Sequence, residues 1–171
     1  MGASCISNKC DKIIEGIYLG NKEAACDKEL LQKYQIRHII QVMPTYDLDT
    51  QHKFNFVSYK CFPVKTEYIC EENINHYFNN SCNYIMNCIK KGENVLVHCK
   101  RGHHRSAIFI IAFLCDCLGW SVKDAISHIR RIRPCALRRE MCMFNLLFDY
   151  LKSHKYNMPY DPDYKRYKFV K

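Results

Sequence analysis

The sequence predicts an α/β domain, a central and mostly parallel sheet flanked by helices. Strand-like and helix-like segments alternate from residue 13 up to a loop at 94–107, the pattern of layered α/β domains. A short apolar run, Val95-Leu96-Val97, crosses a polar loop into a long apolar segment, Ser106 to Leu118. That pair reads as a buried strand feeding a buried helix. With 171 residues, 48% of them apolar, the chain suits one domain with a sizeable core.

Taken in order, residues 1–12 are expected to be a flexible N-terminal segment. Met1-Gly2-Ala3-Ser4-Cys5 also offers an N-myristoylation site at Gly2, with Cys5 available for a second acyl chain. Position 6 is Ile6, where that modification prefers Ser or Thr. Gly16 marks a turn before a short strand, Ile17 to Leu19, closed by Gly20-Asn21. Residues 22–35 are polar and helix-favouring, and His38 to Val42 is the next strand, ended at Pro44. Another strand is expected from Phe54 to Phe62, stopped by Pro63. Residues 74–91 carry an apolar stripe at helical spacing and close on Lys90-Lys91-Gly92. After the central helix, Ser121 is placed to cap a helix from Val122 to Ile132. A last helix spans residues 140–152. The tail, 153–171, is basic and Tyr-rich and reads as an extended arm; binding of an acidic partner is the alternative.

The formal charge of +9 favours an anionic partner, whether a phosphorylated substrate, an acidic membrane face or nucleic acid. No stable nucleic-acid complex is expected. The twelve cysteines are scattered, and none forms a zinc-like pair matched by a second pair, so a reduced cytoplasmic protein fits better than a disulfide scaffold. The N-terminus lacks the basic flank and apolar stretch of a secretory leader. The eight His show no ligand-like spacing, and no metal or cofactor is expected.

The loop at 94–107 concentrates the chemistry. One Cys follows the strand, five residues intervene, and an Arg opens the helix. A loop entering a helix N-terminus turns backbone N–H groups and the positive end of the dipole into one concavity, an anion site. A thiol there is driven toward the nucleophilic thiolate, and an Arg can grip two anionic oxygens with its planar fork. Phosphoryl transfer to cysteine needs that combination.

These residues resemble the His-Cys-x5-Arg-Ser/Thr signature of the cysteine-dependent protein tyrosine phosphatases, matched by His98, Cys99, Arg105 and Ser106. Gly102 stands where that family turns its backbone around phosphate oxygens. Ile17-Tyr18-Leu19-Gly20-Asn21 and the Arg130-Arg131-Ile132-Arg133-Pro134 run are similar to the dual-specificity branch. The resemblance implies that fold, and a dual-specificity protein phosphatase working through a phosphocysteine. Cys99 is then the nucleophile and Arg105 the phosphate clamp. Ser106 helps the thiolate leave, and His98 hydrogen-bonds within the loop and tunes the Cys. Phosphorylated proteins are the implied substrates.

Two departures stand out. The family places an Asp about three residues after a Pro like Pro63, as the acid that protonates the leaving oxygen. Position 66 is Thr66, and Glu67 is the nearest carboxylate, followed by Glu71 and Glu72. Glu67 is therefore the candidate general acid, with a solvated loop residue as the plain reading. Many members also carry Pro-Asn-x-Gly-Phe beside the loop, where this chain has Leu137-Arg138-Arg139-Glu140-Met141. The loop filling itself, Lys100-Arg101-Gly102-His103-His104, is unusually basic and resembles atypical plant and fungal inositol-pyrophosphate phosphatases. These five residues join Arg105 as expected substrate-binding positions. An inositol pyrophosphate, phosphoinositide or RNA 5′-triphosphate is the alternative substrate, and a phosphate-binding module without turnover is the second alternative.

Overall fold

The computed structural model describes residues 8–44, 53–66, 68, 73–138 and 141–154. A five-stranded sheet has the order β1-β2-β5-β3-β4, formed by β1 (Cys10–Ile14), β2 (Ile17–Gly20), β3 (Ile36–Val42), β4 (Ser58–Phe62) and β5 (Asn94–His98). The last four run parallel, and β1 alone is antiparallel, joined to β2 by a tight turn at Gly16. Side chains alternate across the sheet with period two, and both faces are covered. Ile17, Leu19, Val95, Val97, Ile40 and Val42 face the larger core, while Tyr18, Leu96 and Ile39 face a smaller one.

Two short helices, α1 (Lys22–Ala25) and α2 (Lys28–Lys33), cover the smaller face. Four longer ones, α3 (Asn75–Lys90), α4 (Arg105–Asp116), α5 (Val122–Ile132) and α6 (Cys142–Ser153), cover the larger. At the centre of that layer, Ala107 to Cys115 of α4 are fully buried. Phe109 lies 4.9 Å from Phe78 and 5.5 Å from Phe62 between ring centroids. Losing such a ring typically costs ~3–5 kcal/mol. Gly119, at φ 72°, turns the chain out of α4, and Trp120 N–H returns to the Leu114 carbonyl at 3.0 Å. Ser121 caps α5 as expected, accepting from Asp124 N–H at 3.0 Å.

Four sequence expectations are corrected. Cys10–Ile14 is a strand, so the fold begins inside the segment expected to be flexible through residue 12; pairing with β2 supplies the hydrogen bonds that its own composition does not announce. Residues 22–35 form two helices because Asp27 Oδ1 accepts from Leu30 N–H at 3.1 Å and restarts the helix in mid-segment. The strand expected from Phe54 begins only at Ser58, since Phe54 to Val57 turn, with Val57 N–H on the Phe54 carbonyl. Among the described cysteines eight are free, but Cys135 and Cys142 are disulfide-bonded, against the expectation of a wholly reduced chain. Gly2, Cys5, Glu67, Glu71, Glu72, Arg139, Glu140 and the tail from residue 155 lie outside the described residues. Among the described residues no helix is long and apolar enough to cross a membrane.

Candidate active site

β5 is the middle strand of five, and Cys99 is the first residue beyond its C-terminal end, where open α/β sheets bind ligands. Six residues later Arg105 opens α4. His104, the residue at the N-cap, makes no side-chain capping bond, so the first-turn N–H groups of α4 are not consumed by a cap.

The loop is held from outside. Every carbonyl from 99 to 104 accepts a hydrogen bond from a donor beyond its own peptide. His98 Nδ1 donates to the Cys99 carbonyl at 3.4 Å, and Lys22 N–H to that of Lys100 at 3.2 Å. Arg133 serves the next two, with Nη2 on the Arg101 carbonyl at 3.3 Å and Nε on that of Gly102 at 2.8 Å. Leu137 N–H reaches the His103 carbonyl at 2.9 Å, and Ile108 N–H that of His104 at 3.0 Å. In a trans peptide the N–H points opposite to the C=O, and no cis bond occurs here. Tying the carbonyls outward therefore leaves the N–H groups of residues 100–105 for the concavity, the donor ring a tetrahedral anion requires.

Gly102 takes φ 66°, and a Cβ there would stand 2.3 Å from the Gly20 carbonyl oxygen. The position demands glycine both for its backbone and for the close approach of β2. Inside the ring, Ser106 Oγ donates to Cys99 Sγ at 3.2 Å, with both residues buried. Arg105 is half-buried, and its Nη1 donates to the carbonyls of Val64 at 3.0 Å and Lys65 at 3.1 Å. The signature Arg thus touches the segment that leads to Glu67.

His98 is fully enclosed. Desolvation first, with the charges of Lys22 and Arg105 adding to it, pushes its pKa down to about 4. It is neutral at physiological pH, and because a carbonyl only accepts, its proton sits on Nδ1. His103 is pushed down to about 4 by burial and then by Arg133, His104, Arg101 and Arg138. The basic filling therefore owes its charge at neutral pH to Lys100 and Arg101, both exposed, and not to His103. The sign of the linkage follows. A depressed folded pKa means that the unfolded chain takes up the proton first, so stability is full above pH ~6.5 and falls toward pH 4. For His98 the loss amounts to about 3 kcal/mol by pH 4. Thermal unfolding between pH 7 and 4 checks this: His98→Asn, which keeps a donor near the Nδ1 position, flattens the slope, and an unchanged slope rejects the assignment.

The site brings Cys99, Arg105, Ser106, His98 and the 100–104 filling together as expected. The segment around 137 does pack on the loop, through Leu137 N–H. Leu137 holds φ 57°, strained for a branched residue, and its carbonyl accepts from Arg130 Nη2. Sequence reasoning missed the loop's brace, Arg133. It is fully buried, with Nη1 on Asp11 Oδ2 at 2.6 Å and on the Asn8 carbonyl at 2.7 Å. The one signal available was an Arg held immediately before a helix-ending Pro134.

Comparison with known proteins agrees with this geometry. The family model described as "Dual specificity phosphatase, catalytic domain" matches residues 17–151. The chain is similar to human dual specificity protein phosphatase 22, 31% identical over 131 residues, 77% of this chain and 68% of that protein. It is 34% identical over 124 residues to the Slingshot phosphatase of Drosophila melanogaster, covering 72% of this chain but 11% of that much longer protein. Among solved structures, human DUSP28 superposes with a TM-score of 0.77 at 21% identity, covering 90% of this chain and 99% of that one, a likeness of fold. The chain belongs to the dual-specificity phosphatases, cysteine-dependent hydrolases of phosphate esters, and residues 17–151 carry their catalytic domain.

Proposed function

We propose that the domain dephosphorylates phosphotyrosine and phosphoserine or phosphothreonine in proteins, through a phosphocysteine on Cys99. The observation that carries this is the buried Cys99 Sγ, hydrogen-bonded by Ser106, at the foot of a loop whose carbonyls are all tied outward. In the first step the Cys99 thiolate attacks phosphorus in line. An S–P bond forms, the ester P–O bond breaks, and the leaving oxygen takes a proton. Arg105 and the inward N–H groups bind the three equatorial oxygens, where charge accumulates. In the second step water attacks phosphorus, the S–P bond breaks, inorganic phosphate departs, and Cys99 leaves as a thiolate stabilised by the Ser106 hydroxyl.

A hydrogen bond to a charged sulfur is worth ~1.5–3 kcal/mol. Ser106→Ala is accordingly expected to slow turnover about 10–100-fold through the second step. Rapid-quench kinetics would show a phosphocysteine burst, and a single-exponential approach with unchanged kcat would remove Ser106 from the reaction.

Glu67 is the candidate acid for the first step. A positioned acid contributes ~10²–10⁴ in rate, and a phenolate leaves with less help than an alkoxide. With Thr66 where the family has Asp, phosphotyrosine peptides are expected to turn over faster than phosphothreonine peptides. Phosphate release from both peptides, phosphoinositides, inositol pyrophosphates and triphosphate-ended RNA tests the reading. A preference above ~100-fold for a non-protein substrate, ~2.7 kcal/mol, overturns it. Because Cys99 works only as a free thiolate, the same reading favours a reducing compartment, the cytoplasm, with the disulfide-bonded Cys135 and Cys142 as the departure from it.

A further inference from the structure

At the end of α4 opposite the catalytic loop, two helices bring two thiols and a carboxylate together, and a third backs them. Cys82 stands on α3, Asp116 ends α4 and Cys117 follows it. Their two Sγ atoms and a carboxylate oxygen all lie within 4.8 Å of one another. Along a 12-residue helix the cluster is about 18 Å from Arg105, so it belongs to no part of the phosphatase machinery. Cys82 is buried, while Asp116 and Cys117 are half-buried, which gives an ion a way in from solvent. From α6, Tyr150 Oη donates to Asp116 Oδ2 at 2.7 Å. That bond supplies the outer-shell donor that orients metal-binding carboxylates.

We propose that Cys82, Asp116 and Cys117 form a binding site for a thiophilic divalent cation of the zinc class, with water in the fourth position. Tetrahedral zinc holds sulfur at ~2.3 Å and oxygen at ~2.0–2.2 Å, so its ligand atoms stand roughly 3.6–3.8 Å apart. A spread no wider than 4.8 Å contracts to that with small rotamer changes. Soft thiolates select zinc, and against magnesium or calcium, which prefer all-oxygen shells. Binding forms two S–metal bonds and one O–metal bond and releases the two thiol protons to solvent. An ion there pins α3 to the C-terminal end of α4 and, through Tyr150, to α6. Its role is to stabilise the helical layer and not to take part in phosphate chemistry, which needs no metal.

The full chain carrying Cys99→Ser, which removes the reactive thiol, is stripped with a chelator under a phosphine reductant and titrated with cobalt(II). One ion per chain is expected, with a thiolate-to-cobalt charge-transfer band in the near ultraviolet and the visible bands of tetrahedral cobalt, displaced by zinc. Zinc at roughly 100 times its Kd raises the unfolding midpoint by about 5 °C. Cys82→Ser carries a risk of misfolding because it is buried, so the decisive variants are Cys117→Ser and Asp116→Asn, the latter keeping an acceptor for Tyr150. Each is expected to weaken cobalt binding at least tenfold, and Cys117→Ser to lose about half of the charge-transfer intensity. Absence of the band in the parent chain overturns the proposal, as do an unchanged spectrum and affinity in both variants.

Discussion

Cys99→Ser is expected to lower turnover of every phosphomonoester substrate by at least about 10⁴-fold, the scale on which enzymes respond to loss of a covalent nucleophile. The substitution exchanges a soft, strongly nucleophilic sulfur for a weakly nucleophilic hydroxyl oxygen, and leaves the rest of the cradle in place. Cys99 is buried and its side chain meets Ser106 Oγ, which can bond an oxygen as well as a sulfur. Gly102, Arg133, Leu137 and Lys22 hold the loop through backbone atoms that the change does not touch. Phosphopeptide affinity should therefore survive within about tenfold, and the thermal midpoint should stay within roughly 4 °C. Paired measurements of phosphate release and of peptide binding by calorimetry check both halves. Residual turnover above about one per cent would place the nucleophile elsewhere.

Arg133→Ala should produce the largest loss of stability outside the apolar core. The guanidinium is fully buried and bonds Asp11, the Asn8 carbonyl and the carbonyls of Arg101 and Gly102, joining β1 to the catalytic loop. Removing one partner of a buried ion pair typically costs ~3–5 kcal/mol, because the other charge is left without compensation. For a domain of this size that lowers the midpoint by about 6–20 °C. Two loop carbonyls also lose their outside donors and are free to turn into the concavity, where a phosphate oxygen would repel them. The variant should thus lose kcat as well as stability. Arg133→Lys keeps the charge but cannot serve Asp11 and two loop carbonyls at once, so its turnover should recover only in part. Equal catalytic constants for Arg133→Lys, Arg133→Ala and the parent, assayed well below their midpoints, would leave Arg133 with a structural role alone.

Cys99, Arg105, Ser106 and Gly102 were legible because phosphoryl transfer to cysteine needs a nucleophile, an anion clamp and a tight turn within one loop. A loop is local in sequence, and so is its signal. His98 and the 100–104 filling came with it. The charge state of that filling did not: His103 is neutral because it is buried and then because three arginines surround it, two of which come from other segments. Arg133, Asp11 and Lys22 were invisible as site residues for the same reason. Each acts on the loop across a gap of 30 residues or more, and the residues between do not encode the contact.

The sequence by itself determined an α/β domain with a middle strand that delivers a cysteine to a helix N-terminus. It also pointed to the chemistry, since hydrophobic period, glycine placement and a Cys-x5-Arg spacing are properties of contiguous residues. Only the tertiary structure decided that β1 closes the sheet as an antiparallel edge, and that a buried arginine from the end of α5 sets the loop's carbonyls outward. Strand pairing and buried charge depend on which partners meet after folding, and their energy lies in contacts between segments far apart in the chain. The loop holds the proposed nucleophile, and the fold holds the donors around it in place.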